Sequence, residues 1–221
     1  MKIGDSVKVK AGVLEPDTEK FEIGGWQGRV VEIDTLSTDE GTLLNIQWDG
    51  ITLQQIPPDY IIQSEIEALG WDMMVLFESD IEVSVSRDTL EDVKKMQEAL
   101  SEKYYWSYLG EDGLRIAAAL EGTDRNDEKK CFENWLRHFE RSLTLPCKAE
   151  VSESEENEQI KEGTTVEISS LSGVDDRFGI LAAISIAGVN YDFPLCDLEV
   201  TDKKSANYQT INDYTVWFAN R

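Results

Sequence analysis

The chain echoes itself, and the echo limits what it can fold into. "NIQWDGITLQQIPPDYI" (45–61) and "AISIAGVNYDFPLCDLEV" (183–200) share one form: strand, tight turn, strand, proline. Their turns fall at Asp49-Gly50 and Ala187-Gly188. With Ile46 set against Ile184, Gly50 meets Gly188, Leu53 meets Tyr191, and one deletion brings Pro57 onto Pro194. A second pair, "GDSVKV" (4–9) and "GTTVEI" (163–168), alternates polar and apolar residues as half-buried strands do. Two small barrels, one at each end of the chain, accommodate both pairs. The expected fold is therefore α+β: two SH3-like β-barrels with a helical middle, divided as 1–62, 63–145 and 146–221.

In the first barrel the strands are expected near 2–10, 28–35, 42–49, 51–56 and 59–62, with a long loop at 11–27 and Trp26 over the barrel mouth. The middle changes period. Asp88 with Glu91 reads as a capping box, and Leu90, Val93, Leu100 and Tyr104 keep helical spacing, predicting a helix over 88–104. Asp124 caps a second helix over 125–142, whose stripe is Cys131, Phe132, Trp135, Leu136 and Phe139. "EDGLRIAAAL" predicts a shorter helix, on the strength of its alanines. "MMVLF" and "IEVSV" read as a hairpin turning at Glu78-Ser79-Asp80.

Charge narrows the function. With 44 acidic against 21 basic residues and a formal charge of -23, the chain repels phosphate backbones and anionic lipid. Nucleic acid and membranes are poor partners; cations and basic proteins are compatible ones. Cys131, Cys147 and Cys196 lack the short spacing of a zinc or redox motif, and an odd number does not make a disulfide framework. The first residues hold no apolar core of signal-peptide length, and no run approaches 18 apolar residues, so a cytoplasmic protein is expected. No Gly-x-Ser-x-Gly elbow, dinucleotide fingerprint or Walker loop is present, and His138 lies one step off the apolar stripe, so no catalytic residue is expected. Calcium suits a carboxylate-rich chain with one histidine. Asp124, Asn126 and Glu128 have the opening spacing of an EF-hand, but Lys129 stands where its glycine belongs and Trp135 where its bidentate glutamate belongs. Any calcium site is of another kind.

A resemblance meets this requirement. "WLRHFERSLTLPCKAEV", an acidic loop, a strand, "GVNYDFPLCDLEV" and the closing "INDYTVWFANR" resemble the non-EF-hand, CcbP-like calcium-binding family over roughly 125–221. The matching positions are Leu143, Pro146, Ala149-Glu150, Pro194-Leu195, Asp197-Leu198, Asp213-Tyr214 and Trp217; Leu145 and Cys147 depart from the aromatic residues expected beside that first proline. The resemblance implies calcium and no catalysis, without designating ligands. The acid-rich stretch before the strand offers Glu150, Glu153, Glu155, Glu156 and Glu158, and Asp175 and Asp176 join them if the barrel gathers its loops. The stretch reads equally as a solvated linker, because 122–221 is the less acidic half (19 acidic against 11 basic residues, compared with 25 against 10 before it). The alternative function is a protein-interaction module. There the paired barrels hold a basic or extended partner through Trp26, Tyr104, Tyr105 and Trp106, without metal.

Overall fold

The computed structural model describes residues 1–38, 41–154 and 160–221. The chain divides into two compact units, Met1–Gly110 and Glu111–Arg221. Each is α+β and is built on a five-stranded antiparallel sheet.

In the first unit the strands are β1 (Ser6–Val9), β2 (Gln27–Thr38), β3 (Gly41–Trp48), β4 (Met73–Phe77) and β5 (Ile81–Val83), in the order β4-β3-β2-β1-β5. Alternation drives their burial: Val7, Val9, Val30, Leu44, Ile46, Met74, Leu76 and Ile81 face one core. The strands expected at 51–56 and 59–62 are instead helices α1 (Gly50–Gln55) and α2 (Pro58–Ile66). Asp49 is the reason. Its carboxylate accepts the Thr52 N–H at 2.7 Å, so Asp49-Gly50 starts a helix and not a hairpin, and Pro58 at the first position of α2 starts the next. The expected hairpin at 78–80 is a 3-10 turn, Glu78–Asp80, that carries the chain between two strands which do not pair: β4 joins β3, and β5 joins β1. Helix α3 (Leu90–Lys103) is capped by Thr89 with Asp92. Asp88, the expected cap, accepts instead from Arg29 at 2.8 Å and from the Gly50 N–H.

The second unit opens with α4 (Glu111–Ala119) and α5 (Glu128–Ser142). Asp127 caps α5, whereas Asp124 turns the chain ahead of it by accepting the Asn126 N–H. Strands β6 (Cys147–Val151), β7 (Thr165–Asp175), β8 (Gly179–Ile186), β9 (Val189–Pro194) and β10 (Leu198–Val200) lie in the order β10-β6-β7-β8-β9, and α6 (Ala206–Asn220) closes the unit. Trp135 and Phe139 of α5 meet Tyr214 and Trp217 of α6 at ring separations of 5.5–5.8 Å. The Ile180 N–H donates to the Tyr214 hydroxyl at 2.7 Å, tying this aromatic core to β8. Beside it, Gly179 has φ +70°, and a Cβ there would collide with Phe218 and the Tyr214 hydroxyl.

The two sheets repeat each other ladder by ladder. Val7 pairs with Gly28 and Val83 as Ala149 pairs with Val166 and Val200. Val30 pairs with Ile46 as Ile168 pairs with Ile184, and the register slips at the next residue in both. Ile46 pairs with Met74 as Ile184 pairs with Tyr191. Each unit places a 3-10 turn between its fourth and fifth strands. The match of Ile46 to Ile184 made from sequence therefore holds, but Leu53 and Pro57 have no counterparts at Tyr191 and Pro194, because 50–66 is helical. "GTTVEI" likewise enters the second strand of its unit, while "GDSVKV" enters the first.

Candidate calcium site

Strand β6 ends beside the acidic stretch, and hydrogen bonds define where that stretch leaves and returns. The Val151 N–H donates to the Thr164 carbonyl at 3.0 Å, the Gly163 N–H to the Val151 carbonyl at 2.9 Å, and the Ser152 N–H to the Asp197 carbonyl at 2.8 Å. These bonds close the base of the connection from β6 to β7 against β7 and the turn before β10. That connection joins the first two strands of its sheet.

Glu150 sits at this base, exposed, with Thr165 of β7 on one side and Glu199 of β10 on the other. Two carboxylates directly opposite each other on neighbouring strands destabilise a sheet. Glu199 also meets Lys203 at 2.8 Å and the Tyr208 hydroxyl at 3.4 Å, and the hydrogen bond from Lys203 holds its carboxyl below the ordinary range. Glu153 is exposed just beyond the base. Glu155, Glu156 and Glu158 lie outside the described residues.

Asp175 and Asp176 are placed elsewhere. Asp175 ends β7 and Asp176 follows it in the turn; the 11 residues of β7 span roughly 30 Å when extended, and the acidic stretch precedes its other end. Asp175 accepts the Phe178 and Arg177 N–H groups at 3.0 and 2.8 Å, bonds that lower its pKa and close the hairpin into β8. Asp176 borders a depression with Glu128, Glu133 and Lys129 of α5, where Glu128 pairs with Arg221 at 2.9 Å. Among the described residues, no three carboxylate, histidine or cysteine side chains converge on one point as a metal cage requires.

The first unit supplies a natural comparison. Its loop between β1 and β2 occupies the place of the acidic loop and is itself acidic, yet it is organised from within. Glu15, 1% exposed, accepts the N–H groups of Asp17, Thr18 and Lys20 at 2.9–3.2 Å, together with the Thr18 hydroxyl. Burial pushes its carboxyl pKa up, but these donors outweigh burial and leave it lowered. The ladder position of Glu150 is taken by Lys8, facing Glu82. Where the second unit sets two like charges together, the first unit sets opposite ones.

Sequence reasoning overlooked Glu199 and Glu15. The signal for Glu199 was present: "DIEV" at 80–83 recurs as "DLEV" at 197–200. His138 is half-buried, edge-on to Trp135 at 5.7 Å. The aromatic residues expected to face a partner are largely enclosed: Tyr104 and Trp106 are buried, and Trp26 packs edge-on against Trp48 at 5.3 Å and Tyr60 at 5.7 Å. Among the described residues no helix is long and apolar enough to cross a membrane.

A five-stranded antiparallel sheet whose first connection is an acidic loop, closed by a helix bearing a tyrosine and a tryptophan, defines the kind of module the second unit is. Residues 118–218 match the family model Calci_bind_CcbP, described as calcium binding. This span, a little under half of the chain, falls wholly within the second unit, and the resemblance read from its sequence stands. Two solved structures are similar. The crystal structure of Anabaena CcbP is 20% identical over 49% of this chain and 89% of its own, with a TM-score of 0.41. A calcium-binding protein in its calcium-binding form is 19% identical over 49% and 90%, with a TM-score of 0.40. No curated protein matches the chain.

Proposed function

We propose that the chain is a non-catalytic calcium-binding protein, a buffer or regulator, in which the second unit holds the ion. The observation that carries this reading is that the calcium-binding family model covers the unit with the acidic loop and not its structural repeat. Glu150, Glu153, Glu155, Glu156 and Glu158 are the proposed ligands. The donor set fits the ion: these groups are oxygen donors, and Cys196, beside Asp197 in the turn at the base, has its thiol pKa pushed up by burial and so offers no thiolate that would favour zinc. Calcium would supply positive charge beside Glu150, whose opposite neighbour Glu199 is already paired with Lys203. We place Asp175 and Asp176 outside the site, on the length of β7. We also read each unit as an SH3-like barrel, since the strand order with a 3-10 turn before the last strand suits that fold, and we read the protein as cytoplasmic.

The experiment is a thermal melt with calcium, with magnesium as control. Calcium should raise the melting temperature of the wild-type protein, and the combined change Glu150→Gln and Glu153→Gln should diminish that rise. A wild-type protein indifferent to calcium would remove this function from the chain.

A further inference from the structure

The two sheets match in register but differ sharply at one edge. Met73, Val75 and Phe77 of β4 hold the ladder positions that Asn190, Asp192 and Pro194 hold in β9. Natural sheets guard an edge strand with charges and prolines, because its outward N–H and C=O groups are a template for another strand. In the second unit β9 is guarded in this way. In the first, β4 is five apolar residues, with Met73 38% and Val75 49% exposed. Among the described strands β4 bonds to β3 alone and lies at the margin of its sheet.

We propose that the free edge of β4 is a docking site for an extended, basic segment of another protein, which adds a sixth strand to the first unit. Backbone pairing gives the segment its extended form, and Met73 and Val75 receive apolar side chains at alternate positions. Charge decides the occupant. Met1–Gly110 carries 22 acidic and 9 basic residues, and Asp72 and Glu78 bracket the strand, Glu78 being paired with the Met1 ammonium at 2.8 Å. A second copy pairing antiparallel would set Asp72 of one edge against Glu78 of the other and join two strongly acidic units. Lysines or arginines flanking an apolar strand meet Asp72 and the net negative charge of the unit favourably.

Two substitutions already tried by the second unit provide the test. Phe77→Pro suits the backbone, since φ is -68° there and -57° at Pro194, and the matching ladder position lacks an N–H without loss of the strand. Val75→Asp copies Asp192. Fluorescence anisotropy of a labelled Lys-Val-Lys-Val-Lys-Val-Lys peptide, titrated with the full chain at physiological salt, should show saturable binding. Each variant should weaken it about tenfold, the equivalent of one or two lost backbone or side-chain contacts. Val75→Asp discriminates, because it adds negative charge: simple attraction of a basic peptide predicts tighter binding. Unchanged or tighter binding by that variant overturns the proposal, as does failure of the wild-type protein to bind. A wild-type dimer in sedimentation that Val75→Asp dissolves would make the occupant a second copy and overturn it as well.

Discussion

Replacing Gly179 with alanine tests how the closing helix of the second unit is seated. The backbone at Gly179 has φ +70°, a conformation that costs an L-residue about 1–2 kcal/mol. The added methyl must also displace Phe218 or the buried Tyr214, whose hydroxyl accepts the Ile180 N–H, and overpacking of this kind costs about 1–3 kcal/mol. The sum is about 3 kcal/mol, or roughly 12 °C at about 4 °C per kcal/mol for a unit of this size. Gly188 is the control. Its φ is +82°, but nothing lies within 4 Å of a Cβ placed there, so Gly188→Ala bears only the backbone cost, about 1–2 kcal/mol. Differential scanning calorimetry and urea unfolding of both variants measure the difference. If Gly179→Ala melts within a degree or two of Gly188→Ala, the helix does not rest on the hairpin as described.

Three further outcomes follow from the same structure. Tyr214→Phe leaves the Ile180 N–H without its acceptor, and the loss should be about 1–3 kcal/mol by urea unfolding. Because the folded-state pKa of Glu15 is lowered, its contribution is complete above the ordinary value of 4.5 and is lost as pH falls through the folded value; Glu15→Gln should lower the melting temperature near pH 7 and flatten the decline measured toward pH 3. Lys8→Glu installs in the first unit the like-charge pair of the second, opposite Glu82, and should reduce stability by about 0.5 kcal/mol at low salt, with the effect shrinking as salt is added.

Much of this architecture is legible in the sequence where one signal acts alone. The stripe Cys131, Phe132, Trp135, Phe139 gave α5, and the spacing from Leu90 gave α3, each with its cap displaced by up to three residues because neighbouring capping residues compete, Asp88 with Thr89 and Asp124 with Asp127. Ile46 and Ile184 were matched correctly because β3 and β8 run at a constant offset. The match failed past Trp48 because Asp-Gly serves two ends: it makes a hairpin turn, and it caps a helix. Helices α1 and α2 intervene there, so the repeat resumes only at Met73, where "SDIEV" aligns with "CDLEV" without a gap. Of the candidate ligands, Glu150 faces Glu199, 49 positions away, a pairing that only the recurrence of "DIEV" as "DLEV" hinted at in the sequence. Asp175 accepts the N–H groups of the turn it closes, a local role its acidic neighbourhood did not reveal.

On the proposed reading, calcium acts on the second unit through its acidic stretch, whereas Glu15 in the equivalent loop of the first unit is satisfied by donors of its own loop. The most direct measurement is the change in backbone amide NMR shifts of the full chain as calcium is added, with magnesium in parallel. The account predicts saturable calcium-specific changes in 148–165 and 197–204, with 12–22 unmoved. Changes centred on Glu15, or none that calcium causes and magnesium does not, would contradict it.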